Sequence, residues 1–168
     1  PPFREFLALL DTATWADWFL PATTQDEISI HRPFYPARPG GTRRAHLLDG
    51  LSLHAPEDLL RICERASAER RAACSLFWIL GGNQVGRAAA AGWREIIIPN
   101  LNCIGLWPFD DTLQDLAKSS GTIVAETYPG DVYRRLGLPR HGWSKRSRDD
   151  RKRLASILKS WLARQPDV

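Results

Sequence analysis

The chain lacks methionine and long apolar runs, and both absences restrict what it can be. With no methionine among 168 residues and a start at Pro1-Pro2, it carries no initiator residue. We therefore expect a processed or excised product whose preceding segment lies outside residues 1–168. Apolar runs such as residues 96–98 fall far short of the roughly 20 residues that cross a bilayer, and no signal peptide is evident. No membrane partner is expected.

Cysteine and histidine are too few and too scattered for a disulfide framework or a zinc site. Cys63, Cys74 and Cys103 are odd in number and form no C-x-x-C pair. This usage favours reduced thiols and a cytoplasmic location. The four histidines show no zinc-ligand spacing, so a structural zinc ion is not expected.

The remaining composition is that of an ordinary globular protein, with 43% hydrophobic and 25% charged residues. Its length predicts a single domain over residues 1–168. The net charge is +4, and 19 of the 23 basic residues are arginine, whose planar guanidinium suits carboxylate and phosphate groups. A GC-rich genome is the favoured explanation of that bias, so a nucleic-acid partner is permitted but not required. The seven tryptophans leave a homodimer open.

Hydrophobic periodicity predicts a helix-rich α/β domain whose strands come late in the chain. Helices are predicted over residues 2–19 with a break near Asp11 and Thr12, and over 56–72, 84–91, 93–101, 113–118, 131–136 and 147–163. Strands are predicted over residues 104–109 and 122–127. Two or three late strands are few for a well-covered sheet, which also points to strands preceding Pro1.

A Pro/Arg-rich segment over about residues 21–44 is predicted to be a long loop. Its four prolines exclude a helix interior or a central strand. The mixture of His31, Arg32, Tyr35 and Arg38 is typical of single-stranded nucleic-acid sites. A solvated proline-rich loop is nevertheless the favoured interpretation.

Glu126 is the first candidate for chemistry because it follows the most strand-like segment of the chain. Ligands of α/β proteins collect at the carboxyl ends of strands, and a carboxylate in an apolar run needs a partner or a metal. A structural acid, paired with an arginine such as Arg134 or Arg135, is the alternative. Both interpretations remain open.

The pair Asp149-Asp150, in the first turn of the last predicted helix, is the second candidate. Mg²⁺ is commonly held by one or two carboxylates together with substrate phosphates. Only one of two adjacent helical residues can face a site shared with Glu126. For the pair alone, stabilisation of the helix dipole is the favoured interpretation.

Basic and amide side chains accompany these acids. Lys145 and Arg148 belong to a basic run that could meet phosphates, although most such runs are solvated faces. Asn83, after a glycine pair and before a helix, could present its amide to a ligand, but such residues more often cap the helix.

The order of four motifs resembles that of a family of bacterial and archaeal proteins predicted to be RNase H-like nucleases. The similarity covers roughly residues 75 to 160, and each motif is weak alone. The motifs are Gly82-Asn-Gln-Val-Gly-Arg87, Ile104-Gly-Leu-Trp-Pro-Phe109, Glu126-Thr-Tyr-Pro-Gly130 with Tyr133-Arg-Arg-Leu-Gly137, and Ser144-Lys145 before an arginine-rich helix.

This resemblance implies an RNase H-like fold, a mixed sheet flanked by helices, with carboxylates at the sheet edge that bind divalent metal. Glu126 matches the family's E-x-Y-P motif, whereas Asp149 or Asp150 only approximates a late acid. The family's first strand carries an aspartate in a G-I-D segment that this chain lacks. The opening strands are therefore expected to lie outside residues 1–168.

The resulting hypothesis is a nuclease, or a related phosphodiester hydrolase, that depends on Mg²⁺ or Mn²⁺. Glu126, Asp149 and Asp150 would be catalytic, with Glu126 and Asp150 as metal ligands. Substrate would be held by Lys145, Arg135, Arg148, Asn83 and Tyr128. The alternatives are a non-catalytic binding or regulatory module and a hydrolase of a small phosphorylated metabolite.

Overall fold

The computed structural model describes residues 1–67, 71–81, 85–118, 121–127, 132–133, 135–139 and 142–164. They fall into two units, Pro1–Glu126 and Thr127–Val168. The described helices are α1 (Phe3–Leu9), α2 (Arg44–Gly50), α3 (Val85–Gly92), α4 (Leu113–Lys118) and α5 (Arg148–Leu162), and the strands are β1 (Ile104–Trp107) and β2 (Thr122–Ala125). The chain is thus helix-rich with late strands, as predicted.

Short helical turns complete the secondary structure. A π-helical turn, Trp93–Ile97, continues α3. Five 3-10 turns are described: Ala13–Trp15, Gln25–Glu27, Pro56–Leu59, Ile62–Glu64 and Ile98–Asn100. The first of them follows α1 after the expected break at Asp11 and Thr12. The segment predicted as the helix 131–136 includes residues 131 and 134, which lie outside the described residues.

The predicted helix over residues 56–72 is wrong. In the described part of this segment, residues 56–67 and 71–72, two separate 3-10 turns form, and Leu60 and Arg61 between them have extended backbone. Asp58 accepts the backbone N–H groups of His54 and Ala55, and Glu64 accepts that of Arg61. In a continuous helix the Arg61 N–H would donate to the carbonyl of Glu57; Glu64 accepts it instead, and this local bond competes with the helix.

The sheet is a two-stranded parallel pair in which Ile104 lies opposite Thr122 and Trp107 opposite Ala125. Helix α4 connects the strands, so β1, α4 and β2 form a βαβ unit. Gly105 makes close packing with α4 possible, because a Cβ there would lie 2.9 Å from a Leu116 methyl carbon. This arrangement brings the carboxyl ends of both strands, Trp107 and Ala125, to the same edge.

The described residues of the unit Pro1–Glu126 form two groups of buried side chains. One joins α1, α3 and the sheet, and the other joins α2 to the proline-rich segment. The buried members of the first are Leu7, Leu10, Trp18, Phe34, Ile79 and Leu106. Those of the second are Ala22, Ile28, Tyr35, Leu47, Leu59 and Trp78.

The Pro/Arg-rich segment contributes to both groups, so the favoured interpretation of a solvated loop is wrong. Phe34 and Tyr35 are 1% and 2% exposed. The backbone N–H of Tyr35 donates to the carbonyl of Phe77, and that of Ile79 donates to the carbonyl of Tyr35. The Tyr35 hydroxyl lies 2.9 Å from Nδ1 of His46. Tyr35 is therefore unavailable for stacking against a base.

Arg4 joins α1 to the end of β1. Its guanidinium donates to the carbonyls of Leu101 and Ile104 and forms a salt bridge with Asp110. Asp110 also accepts the backbone N–H of Leu106 at 2.7 Å. The hydrogen bond from Arg4 is the largest cause of a lowered Asp110 pKa.

We expect Asp110→Asn to lower the free energy of unfolding at pH 7 by about 1 kcal/mol, because a charge-assisted pair on a partly exposed arginine is lost. A carboxyl whose pKa is lowered by folding stabilises the protein above its unfolded pKa, near 4, and loses that contribution as pH falls further. The difference between wild type and variant in urea denaturation should therefore shrink between pH 5 and pH 3. A difference independent of pH would contradict the assigned role.

The unit Thr127–Val168 contains α5, close to the predicted helix 147–163. The Ser147 hydroxyl accepts the backbone N–H of Asp150 and caps the helix. Leu154 is 3% exposed, and the rings of Tyr133 and Trp143 meet edge to face at 5.3 Å. None of the helices described in either unit is both long and apolar enough to cross a membrane.

Candidate carboxylate site at the end of the sheet

Glu126 is the first residue beyond β2, and the sheet determines its position. Its backbone N–H donates to the carbonyl of Trp107 at 3.2 Å, which continues the parallel pairing past Ala125. Its side chain is 44% exposed. A carboxylate thus stands at the carboxyl edge of the strands and is open to solvent, where the sequence predicted a candidate site.

A single arginine holds Glu126 together with a second carboxylate. Nη1 of Arg61 donates to Oε2 of Glu126 at 2.9 Å, and Nη2 contacts Oε1. The same Nη2 donates to Oε1 of Glu64 at 2.7 Å. Because both carboxylate oxygens bind one nitrogen, they lie within about 5 Å of each other. We call Arg61, Glu64 and Glu126 the carboxylate cluster.

The local backbone fixes Arg61 and Glu64 relative to each other. The 3-10 turn Ile62–Glu64 lets the Glu64 carboxylate accept the backbone N–H of Arg61 at 2.8 Å. The Glu64 side chain is 17% exposed, whereas that of Arg61 is 52% exposed. The hydrogen bonds that Arg61 donates to Glu126 are the largest cause of a raised Arg61 pKa. The guanidinium is therefore charged at any accessible pH and balances one of the two carboxylates.

The sequence singled out neither Arg61 nor Glu64. The R-x-x-E spacing was a detectable local signal, since residues three apart are neighbours in a helical turn. The contact with Glu126 spans 65 positions and had no such signal. Arg61 is an arginine found on this carboxylate, and Arg134, one of the two predicted partners, lies outside the described residues.

Asp150 has a structural role in the unit Thr127–Val168. Its Oδ2 accepts the backbone N–H of Ser144 at 2.9 Å, and its Oδ1 accepts Nη2 of Arg153 at 2.8 Å. The bond from Arg153 is the largest cause of its lowered pKa. Both oxygens are thus engaged by donors of the same unit.

Four further predicted site residues of this unit are described, and all four face solvent. Asp149, Lys145, Arg148 and Arg135 are exposed. The Lys145 carbonyl accepts Nη1 of Arg151 at 2.7 Å, which fixes the backbone before α5. Exposure leaves all four side chains able to meet a ligand. Asn83 and Tyr128, also predicted to bind substrate, lie outside the described residues.

A metal site can be tested against the donors present. No group of three or more His, Cys, Asp or Glu side chains suitable for a metal occurs among residues that the structure describes. Glu64 and Glu126 do converge, and one or two protein carboxylates, completed by water and phosphate, are the usual ligands of Mg²⁺. The cluster therefore fits such an ion once Arg61 moves away. The predicted metal pair of Glu126 and Asp150 draws on both units and stays a prediction.

Comparisons with known proteins add no assignment: no family model, curated protein or solved structure matches the chain. The resemblance to RNase H-like nucleases therefore stays a prediction, and the function is inferred from the residues themselves.

Proposed function

We propose that the protein is a divalent-metal-dependent phosphodiester hydrolase, a nuclease of RNase H-like type, whose reaction centre includes Glu126. The observation that carries the proposal is the carboxylate cluster. Two acids converge at the carboxyl edge of parallel strands, and one of them is widely open to solvent. Ligands of α/β proteins collect at this edge.

Glu126 and Glu64 would hold the ion, Mg²⁺ or Mn²⁺, through hard carboxylate oxygens. When bound, it would supply an activated hydroxide and offset negative charge on the leaving oxygen. Arg61 would give up its contacts with the carboxylates. Its planar guanidinium is then free at the same edge of the sheet to hold a phosphate oxygen by paired hydrogen bonds.

Residues of the unit Thr127–Val168 are included in the proposed site because of the charge and exposure of their side chains. Lys145, Arg135 and Arg148 would neutralise substrate phosphates, which exposed basic side chains can do. Of the two acids in the first turn of α5, Asp149 is the better candidate for a catalytic role. Asp150 already uses both oxygens within its own unit.

We expect Glu126→Gln to weaken Mn²⁺ binding at least about tenfold. Mutation of residues that only orient metal ligands already lowers metal affinity about 10–100-fold, and the loss of a ligand itself should cost at least as much. Calorimetric titration with Mn²⁺ measures this directly. Cleavage of labelled single-stranded, duplex and hybrid nucleic acids, beside a small phosphate ester, should fall in parallel. Glu5→Gln, an exposed acid in α1, is the matched control and should behave as wild type.

Equal Mn²⁺ affinity of wild type and Glu126→Gln would exclude Glu126 as a ligand. Mn²⁺ binding without cleavage of any nucleic acid would exclude the nuclease. If only the small phosphate ester is hydrolysed, the substrate is a phosphorylated metabolite.

A non-catalytic binding or regulatory module is the second candidate, favoured by the saturation of both Glu126 oxygens by Arg61. In that case the cluster is structural, and an exposed pair of this kind stabilises by less than about 1 kcal/mol. Arg61→Gln separates the candidates. It should raise Mn²⁺ affinity and reduce cleavage if the acids are metal ligands, whereas in a structural cluster Mn²⁺ would bind neither the variant nor the wild type.

A further inference from the structure

A cavity of about 210 Å³ lies beside α3, within the unit Pro1–Glu126. One wall consists of apolar side chains from the residues just before the Pro/Arg-rich segment, from that segment itself and from the segment before α3. The other is the face of α3 and its π-helical continuation. The lining residues are Phe19, Pro21, Phe34, Ile79, Arg87, Ala90, Ala91 and Arg94. The cavity shares no lining residue with the carboxylate cluster.

The helical wall has a charge pattern that follows from its sequence. Arg87, Ala90, Ala91 and Arg94 are spaced i, i+3, i+4 and i+7, which places them on one face of the helix. The two arginines therefore stand about 10 Å apart along the axis at the two ends of this face. The alanines between them are short enough to leave the space open. The result is a small apolar trough with a cation at each end.

The two guanidinium groups differ in how they are held. Nη2 of Arg87 donates to the carbonyl of Ala37 at 3.1 Å, which orients it while leaving its other N–H groups able to donate. Arg94 pairs with the adjacent Glu95 at 2.7 Å, with both side chains more than half exposed. An exposed pair of this kind is weak and is readily exchanged for an anion.

The base of the trough is part of the packed core of the unit. Phe34 and Ile79 are 1% and 2% exposed and belong to the first buried group. Their positions are fixed by backbone hydrogen bonds from Ala22 to Phe34 and from Ile79 to Tyr35. A ligand therefore meets a preformed apolar surface, and little ordering is needed on binding.

From this arrangement we infer that the cavity binds a small organic anion, one that carries a carboxylate or phosphate group on a flat apolar body. The apolar body packs on the half-buried side chains of Phe19, Pro21 and Ala90, and the anionic group bonds to Arg94 or Arg87. This pattern, an apolar lining with a few convergent polar groups, is typical of small-molecule sites. The site goes beyond the proposed hydrolase, since it requires no metal and none of the cluster residues.

Phenyl phosphate is the probe, and titration followed by two-dimensional amide NMR of the full chain is the measurement. We expect changes in amide chemical shift that saturate with phenyl phosphate concentration and are confined to α3 and the segments that carry Phe19 and Phe34. Inorganic phosphate lacks the apolar body and benzyl alcohol lacks the charge, so each should bind at least tenfold more weakly. The titration is done in metal-free buffer with a chelator, so that no metal ion at the carboxylate cluster can bind the phosphate of the probe.

Two variants test the geometry. Arg94→Gln should weaken phenyl phosphate at least about fivefold, whereas Arg43→Gln, an exposed arginine elsewhere in the unit, should not. Ala91→Leu fills the trough and should abolish binding, whereas Ala88→Leu, exposed on the same helix, should leave it intact. Thermal unfolding confirms that each variant folds.

Absence of saturable binding by the wild type would overturn the inference. So would binding that Arg94→Gln and Ala91→Leu both leave unchanged, or shifts spread over the whole chain. If inorganic phosphate binds as tightly as phenyl phosphate, the apolar surface contributes nothing to binding, and this outcome also overturns the inference. Loss of nuclease activity in Glu126→Gln has no bearing on any of these outcomes.

Discussion

Trp18→Ala is expected to lower the free energy of unfolding by about 3–5 kcal/mol, the usual loss when a fully packed aromatic side chain is truncated to alanine. Trp18 is 3% exposed. Its indole stacks on Trp93 with centroids 5.5 Å apart and planes inclined by 14°. It also meets other rings edge to face, those of Phe6, Phe19, Phe34 and Phe77.

The size of the effect follows from how many elements this side chain joins. It connects the segment after α1 to the π-helical turn after α3 and to the proline-rich segment. Truncation therefore leaves a cavity that no single neighbour can fill by relaxing. Aromatic pairs add about 0.5–1.5 kcal/mol each beyond the area that they bury.

Urea denaturation followed by circular dichroism measures the loss. Trp15→Ala is the matched control in the same segment. Trp15 is only half-buried and contacts Phe6 and His31, so a clearly smaller loss is expected. Trp18→Phe, which keeps an aromatic ring, should lie between wild type and Trp18→Ala. Equal losses at residues 15 and 18 would contradict the central position of Trp18.

Gly86→Ala is expected to have the second large effect, a loss of about 1–3 kcal/mol or more from overpacking. A Cβ at residue 86 would overlap the backbone carbonyl of Leu76 and lie 2.7 Å from Cγ2 of Ile79. A backbone atom cannot move aside as a flexible side chain can. Helix α3 would therefore have to shift away from the segment that it packs against.

Gly92→Ala provides the control at the other end of α3. Nothing lies within 4 Å of a Cβ built there, and the backbone is helical. Alanine should therefore be neutral or stabilise by up to about 1 kcal/mol, since glycine is the poorer helix former. Thermal and urea unfolding of both variants gives the comparison. A Gly86→Ala variant as stable as Gly92→Ala would show that α3 does not approach Leu76 closely.

Elements governed by neighbours in sequence were predictable. Helices α3 and α5 and strands β1 and β2 lie close to their predicted positions, because apolar periodicity, β-branched residues and glycine act over one or two turns of chain. The placement of Glu126 at the end of a strand follows from the same local pattern. The sequence also allowed an arginine partner for Glu126, because a carboxylate in an apolar run needs a counter-charge.

Elements governed by distant contacts were not predictable. The apolar residues Leu59, Leu60 and Ile62 fit a helical stripe, yet the backbone between the two 3-10 turns is extended. Arg61 lies in this extended stretch and contacts Glu126, 65 positions away. The composition of the Pro/Arg-rich segment predicted a solvated loop. Its burial depends on hydrogen bonds with residues 77 and 79, more than forty positions away.

The sequence by itself determined a helix-rich chain with late strands, a carboxylate at the end of the second strand, and a charged start to the last helix. These are consequences of short-range propensity and periodicity. Only the tertiary structure decided that Arg61 and Glu64 join Glu126, that Tyr35 is buried, and that Arg87 and Arg94 flank an apolar cavity. Each of these depends on side chains far apart in sequence, and their proximity results from burial of the shared core.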